Sequence, residues 1–264
     1  MYFKDKIIWI IGASSGIGAA LAKQLAKQQA RLIITGRNME ALLALQKECL
    51  LSTKYCCLLA ADITEQSSVN FIGEQARKYY GQLDVVIFSA GVSQRSLAID
   101  TPVEIDRKLM EINFFAPVII TKQLLPFFKE QQCGHIVVIG SMAGLMGFPM
   151  RTGYAAAKHA LMGYFETLQV EHSLIDFHIT IVNPGRINTN ISMSAITANG
   201  SAHNKMDTGQ LEGIPVDVCA NKILGGIRKK KKHLLIAKGE KLLYWIKWFY
   251  PSLYYKIARK KGLI

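Results

Sequence analysis

Tyr154 and Lys158 stand four residues apart, and Ser141 precedes Tyr154 by thirteen. On a helix, residues i and i+4 share one face. The Lys158 ammonium is therefore expected beside the Tyr154 phenol. A neighbouring cation favours phenolate and lowers a tyrosine pKa from its ordinary value of about 10. A tyrosine tuned in this way exchanges a proton with a bound oxygen near neutral pH. Ser141 follows the apolar run His135–Ile139, which reads as a buried strand, so its hydroxyl is expected at the same oxygen. Taken alone, this spacing of common residues also arises by chance, and its weight depends on a second motif.

That motif lies at the start of the chain. A strand over Lys6–Ile11 leads into Gly12-Ala13-Ser14-Ser15-Gly16-Ile17-Gly18 and then an amphipathic helix to about Gln29. Strand, glycine turn and helix form the context of a dinucleotide-binding turn. Glycines allow the backbone to approach a pyrophosphate, and the helix N-terminus offers N–H groups and a positive dipole end. Packing and capping glycines give similar clusters, so the turn gains its meaning from Ser141, Tyr154 and Lys158 further on.

The elements that must position these residues alternate along the chain. Short apolar strands are expected at 6–11, 31–35, 54–59, 84–89, 135–140, 178–183 and 233–237. Helices are expected at 17–29, 39–50, 65–80, 103–129, 153–175 and 215–229. Such strands read as buried and parallel, covered by helices on both faces. Right-handed crossovers then give a Rossmann-type, doubly wound α/β sheet of about seven strands. Ligands in such sheets bind beyond the carboxyl ends of the strands. Gly12, Thr35–Arg37, Asp62, Ser89–Gly91, Ser141 and Asn183–Gly185 all fall there. The expected organisation is one domain over 1–239, with a substrate lid at about 187–213 and an extension over 240–264.

With these residues in view, the chain resembles the short-chain dehydrogenase/reductase family over roughly residues 5 to 240. The resemblance rests on the Gly12–Gly18 turn, Asp62, Ser89-Ala90-Gly91, Asn113, Ser141, Tyr154-x-x-x-Lys158, Pro184-Gly185 and Thr189. It departs at Ile11, where the family usually has Thr, and at Phe88-Ser89, where it has Asn-Asn. The resemblance implies a nicotinamide cofactor and a catalytic set of Asn113, Ser141, Tyr154 and Lys158. Tyr is then the general acid/base, Ser holds the substrate oxygen, Lys tunes Tyr and binds the nicotinamide ribose, and Asn anchors a relay water. It also implies cofactor contacts from Gly12, Ser14, Ser15, Gly16, Ile17, Gly18, Asp62, Ile63, Ser89, Ala90, Gly91, Pro184, Gly185 and Thr189. A solvent-facing or packing role for Asn113 stays open, as does an N-cap role for Asp62 before Glu65.

Cofactor choice turns on the end of the second strand, Thr35-Gly36-Arg37. A carboxylate there would bind ribose hydroxyls and repel a 2′-phosphate. Arg37 instead offers a guanidinium that pairs with phosphate, and Ser14 can add a hydroxyl. NADP(H) is favoured, with NAD(H) left open, unless Arg37 is only a solvated side chain. The function expected is carbonyl–alcohol interconversion; the alternative is a non-catalytic, membrane-docking nucleotide binder. Residues 187–213 have no clear period, and Met193, Ile196 and Met206 give them lid character. Leu145, Met146, Phe148 and Met193 suggest a hydrophobic substrate, if they are not core.

Charge is distributed unevenly. The 264 residues are half hydrophobic and carry 32 Lys and Arg against 19 Asp and Glu, a net of +13. Residues 222–264 hold 13 of those bases and one acid, Glu240, so nearly all the excess lies there. Trp245, Trp248, Phe249 and Tyr254 are mixed with lysines, a pattern suited to an anionic membrane interface. Packing over the pocket or in a homodimer or homotetramer is the competing reading. One or two amphipathic helices broken near Pro251 are expected. The first strand begins within six residues, so no signal peptide is expected. With no long apolar span, the expectation is a cytoplasmic protein, peripheral to a membrane if the tail docks. The five cysteines read as reduced and structural. No motif suggests a metal or nucleic acid.

Overall fold

The computed structural model describes residues 1–171 and 176–261. In chain order the elements are β1 (Ile7–Ile11), α1 (Gly16–Lys27), β2 (Arg31–Gly36), α2 (Met39–Glu48), β3 (Cys56–Ala60), α3 (Gln66–Tyr80), β4 (Val85–Phe88), α4 (Val103–Met110), α5 (Ala116–Gln131), β5 (Cys133–Ile139), α6 (Thr152–Glu171) and β6 (Asp176–Pro184). Then follow β7 (Ile187–Asn188), α7 (Thr208–Leu211), β8 (Ile214–Pro215), α8 (Val216–Arg228), β9 (His233–Ile236), α9 (Glu240–Phe249) and α10 (Pro251–Lys261). The seven long strands and the helices between them fall where the apolar runs predict. The last residues of the helix expected over 153–175, 172–175, lie outside the described residues.

Seven strands form one parallel sheet in the order β3-β2-β1-β4-β5-β6-β9. This is the doubly wound arrangement the sequence predicts. Strand β1 reads Ile-Ile-Trp-Ile-Ile and is buried along its whole length, because helices cover both faces of a parallel sheet. Trp9 lies fully inside and donates its indole N–H to Thr35 Oγ1 at 2.9 Å, so the one polar atom of that ring is satisfied. One core layer packs α1, α2 and α8 against the sheet, the other α3, α5 and α6. The chain runs outward from β1 to β3, then returns to place β4 on the other side of β1. That reversal opens a crevice beyond the carboxyl ends of β1 and β4. There the N–H groups of Ser89 and Ala90 both donate to Ile11 O at 2.8 Å.

One irregularity was not legible in the hydrophobic period. Between α4 and α5 the helix widens into a π turn over Glu111–Phe115, closed by the Ala116 N–H donating to Glu111 O. Pro117 has no N–H to give to the Asn113 carbonyl four residues back, so an ordinary α turn cannot close there. Among the described residues no helix is long and apolar enough to cross a membrane.

Candidate active site

The crevice is the mouth of a cavity of about 1380 Å³. At one end lies the glycine turn. Gly12 has φ +87°, and a Cβ on it would collide with the Ala90 backbone. A Cβ on Gly18 would strike the Gly12 carbonyl. These positions therefore require glycine, and the cradle they form is open. Ser15, the N-cap of α1, makes no side-chain bond to the helix, which leaves the first-turn N–H groups uncapped beside the cavity. The residues Ser14, Ser15, Gly16 and Ile17 line it, with Thr189 facing Gly16 across a gap that a Cβ would narrow to 3.6 Å. Uncapped N–H groups and a glycine cradle fit a pyrophosphate.

The same wall continues along the strand ends. Arg37 is exposed and lines the cavity beside Gly36, against which Ser14 packs. Asp62 and Ile63 line it too. Asp62 Oδ1 accepts from both the backbone N–H (2.9 Å) and the hydroxyl (2.7 Å) of Thr64. Partial burial pushes this carboxyl up, but the Thr64 bonds and the charges of Arg37 and Lys108 outweigh it and hold it below the usual range. Asp62 thus closes a local turn, whereas the N-cap of α3 is Glu65. Ser89, Ala90, Gly91, Pro184 and Gly185 complete the lining.

At the other end Ser141, Tyr154 and Lys158 meet. Tyr154 and Lys158 lie on α6, both buried. The Lys158 Nζ donates to Ile139 O at 2.9 Å and lies 5.9 Å from the Tyr154 ring centroid. A Cβ on Gly91 would be 3.5 Å from that Nζ and 2.9 Å from Asn113 Oδ1, so Lys158 and Asn113 converge behind Gly91. Asn113 is fully buried in the π turn. Its amide donates to Leu109 O (2.9 Å) and Val92 O (3.0 Å), and its Oδ1 accepts from Val92 N (3.2 Å). It is not solvent-facing. Ser141 Oγ accepts from Ala143 N at 3.1 Å, which leaves its proton for another acceptor.

The electrostatics differ from the sequence expectation. Burial raises the Tyr154 phenol above its usual value. The opposing effects are a hydrogen bond with Ser141 and the charges of Arg151 and Arg95. Lys158 is not among them: desolvation depresses its own ammonium to about 8. Sequence spacing brought Lys158 to the right place but gave no measure of burial, which dominates here.

Reading from sequence also missed the floor of this end. Gln94 is fully buried; its Oε1 accepts from Tyr154 N at 3.2 Å, and its amide donates to Ser96 and Thr101. Arg95 N donates to Ile196 O, and Ile196 N to Ser93 O, both at 2.8 Å. The segment 187–213 is thereby tied to 93–95, and Met193, Ile196 and Met206 line the cavity. Phe148 lines it as well, but Leu145 and Met146 do not. Met146 is buried in a cluster with Met142 and Tyr254, so these two residues belong to the packing under the tail.

The C-terminal segment forms two helices that break at Pro251, as expected. One face packs on the loop after Ser141. Tyr254 is buried and donates its hydroxyl to Gly147 O, and Lys247 Nζ donates to Leu145 O at 2.6 Å. Tyr254, expected at a membrane interface, and Lys247, one of the lysines around it, are instead committed to the body of the protein. Glu240 accepts from Arg186 N (3.1 Å) and Lys238 N (3.2 Å) next to Gly185. The other face leaves Leu242, Trp245, Trp248, Phe249, Tyr250, Leu253 and Tyr255 exposed. Residues 262–264 and the Lys261 side chain lie outside the described residues.

Sheet order and the glycine cradle beyond it define a Rossmann-type fold. The chain belongs to the short chain dehydrogenase family, whose sequence profile matches residues 6–200. Members of this family carry out NAD(P)-dependent oxidoreduction. The chain is 35% identical to dehydrogenase/reductase SDR family member 7B of Bos taurus, covering 99% of this chain and 82% of the bovine protein. It is 36% identical to the Danio rerio protein of that name, over 98% and 86% of the two chains. Its fold is similar to a short chain dehydrogenase/reductase from Burkholderia phymatum solved in complex with NAD, with TM-score 0.82, 18% identity and 96% of each chain covered. It is also similar to a short-chain dehydrogenase from Sphingobium yanoikuyae in complex with NADPH, with TM-score 0.74, 24% identity and 87% of each chain covered.

Proposed function

We propose that this protein is an NADP(H)-dependent oxidoreductase that interconverts a carbonyl and an alcohol, with Tyr154 as general acid/base. The observation that carries this reading is the burial of Tyr154 against Ser141 and Lys158 in the same cavity as the glycine cradle. A bound nicotinamide supplies or accepts the hydride. The chain's own residues do the rest. Ser141, whose oxygen is already occupied by the Ala143 N–H, donates its proton to the substrate oxygen. Tyr154 gives that oxygen its proton during reduction, a role that suits a phenol kept protonated by burial. Lys158, next to Gly91 and Asn113, is the residue to hold the nicotinamide ribose and pass on the proton, with Asn113 fixed in the π turn behind it.

The uncapped start of α1 and the turn Gly12–Gly18 would hold the pyrophosphate. Asp62 and Ile63 would meet the adenine, and Pro184, Gly185 and Thr189 the nicotinamide side. Preference for NADP(H) is supported by Arg37 and Ser14 at the end of β2, where no carboxylate stands to repel a 2′-phosphate. In this reading 1–239 is the catalytic domain, and 187–213 closes over the substrate. Met142, Phe148, Met193 and Ile196 favour a substrate with an apolar body.

The exposed face of α9 and α10 is proposed to rest on an anionic membrane surface. The acid of this segment, Glu240, is turned into the Gly185–Arg186 turn, while Lys241, Lys256, Arg259 and Lys260 are exposed around the aromatic residues.

Following NADPH and NADH oxidation with a panel of ketones and aldehydes tests the main reading. Tight cofactor binding without turnover of any carbonyl would favour the non-catalytic alternative.

A further inference from the structure

Beside Tyr154 the cavity carries more guanidinium than carboxylate. Arg95 and Arg151 both reach Asp207, which is the carboxylate they share. Arg95 is committed to it: Nη2 donates to Asp207 Oδ2 at 2.5 Å and Nε at 3.1 Å, while Nη1 donates to Ser93 Oγ and Gln94 O. Arg151 is not. Among the described residues it donates to Pro149 O at 3.1 Å, and its second contact, to Asp207 Oδ2, is long at 3.4 Å. A guanidinium has five N–H donors in a planar fork, so most of this one is unspent. Desolvation and the charge of Arg95 pull Arg151 down to about 10 against the opposing charges of Asp207 and Tyr154, and Arg186 adds a smaller repulsion. Arg186, His203 and Lys205 line the same cavity. A half-buried cation gains from an anion to meet it, and Asp207, 3.4 Å from Arg151, is held far more closely by Arg95.

From this geometry we propose that Arg151, with Arg186 lining the same cavity, docks an oxyanion carried by the substrate, a carboxylate or a phosphate, close to the reacting carbonyl. The inference deepens the function proposed above and rests on it. It makes the substrate amphiphilic. The oxyanion meets the guanidinium fork in paired hydrogen bonds, and the apolar body lies along Met142, Phe148 and Met193. Arg151 is a binding residue in this scheme. It immediately precedes the helix bearing Tyr154, so the docked anion fixes the distance from its carbonyl to the phenol.

Three matched aryl ketones test this: para-acetylbenzoate, para-acetylphenyl phosphate and the neutral para-methylacetophenone. Wild-type protein is expected to use at least one anionic ketone with kcat/KM about tenfold or more above the neutral one, the scale of a charge-assisted hydrogen bond. Comparing the two anions separates carboxylate from phosphate. In Arg151→Met the ratio should collapse towards one. In Arg151→Lys, which keeps the charge without the fork, part of it should return. Calorimetric titration of the same compounds gives a readout independent of turnover, with anion affinity falling in Arg151→Met. Equal use of charged and neutral ketones, or a preference that survives Arg151→Met, overturns the proposal. If no ketone is turned over but calorimetry finds anion binding lost in Arg151→Met, the subsite stands and the carbonyl-reductase reading is what fails.

Discussion

At the scale of single residues, the cluster of Ser141, Tyr154 and Lys158 makes direct predictions. Tyr154→Phe is expected to lower turnover by about 100-fold or more, the scale of a lost general acid/base, while NADPH still binds. Near-normal turnover would remove Tyr154 from its role. Arg37→Asp is expected to weaken NADPH and strengthen NADH, read by fluorescence titration of both; a wild type that already prefers NADH would contradict the reading of the β2 end. Much of this site was legible because its spacing is local: i and i+4 on one helix, or a turn directly after a strand. What was not legible joins distant segments. Arg95 and Asp207 are 112 residues apart, and no period or motif links them. No motif marks Gln94, whose buried side chain accepts from the backbone at the start of α6. Leu145 and Met146 misled for the opposite reason: apolar residues near a site read alike whether they face a cavity or a covering helix.

At the scale of elements, the strands were legible because parallel strands are buried on both faces and so form short apolar runs. The π turn was not, since it preserves the helical pattern and shows itself only through Pro117. The glycine turn predicts a stability cost. Gly12→Ala must place a side chain at φ +87°, costing at least about 1 kcal/mol. That alone lowers the melting temperature by about 2–4 °C, before the collision with Ala90, and cofactor binding should fall with it. Strand β5 predicts a pH effect. The Thr180 hydroxyl donates to Lys231 O, so it accepts from His135 Nε2, whose ring is buried and neutral. Desolvation, helped by His178 and Lys230, lowers His135 from 6.5 to about 3. Between those values the unfolded chain binds a proton that the folded chain does not. The stability His135 contributes is therefore complete above about pH 6.5 and declines as pH falls towards 3, by up to about 1.4 kcal/mol per pH unit. Urea unfolding of wild type and His135→Gln should find their difference shrinking between pH 7 and 4.5. A constant difference would mean that the ring takes up its proton as readily in the folded protein as in the unfolded chain.

At the scale of the whole molecule, charge segregation announced an unusual tail, but sequence alone could not divide its residues between inner and outer faces. Tyr254 and Lys247 went inward; Trp245, Trp248 and Phe249 stayed out. Co-sedimentation with anionic vesicles should capture the wild type at low salt and lose it as salt rises. The pair Trp245→Ala and Trp248→Ala should abolish capture without disturbing the bonds to Leu145 and Gly147. An oligomer that dissociates on the same change, with no vesicle binding at any salt, would favour subunit packing instead. The three tryptophans are themselves split: Trp9 lies inside the sheet, and the other two stand on the open face of α9. The chain therefore carries its own optical label. Iodide should quench the tail pair and spare Trp9, and a vesicle that covers the tail should shift their emission to the blue and shield them from the quencher. Only unfolding of the sheet would expose Trp9 to the quencher, so docking and denaturation can be told apart in one cuvette without attaching a dye.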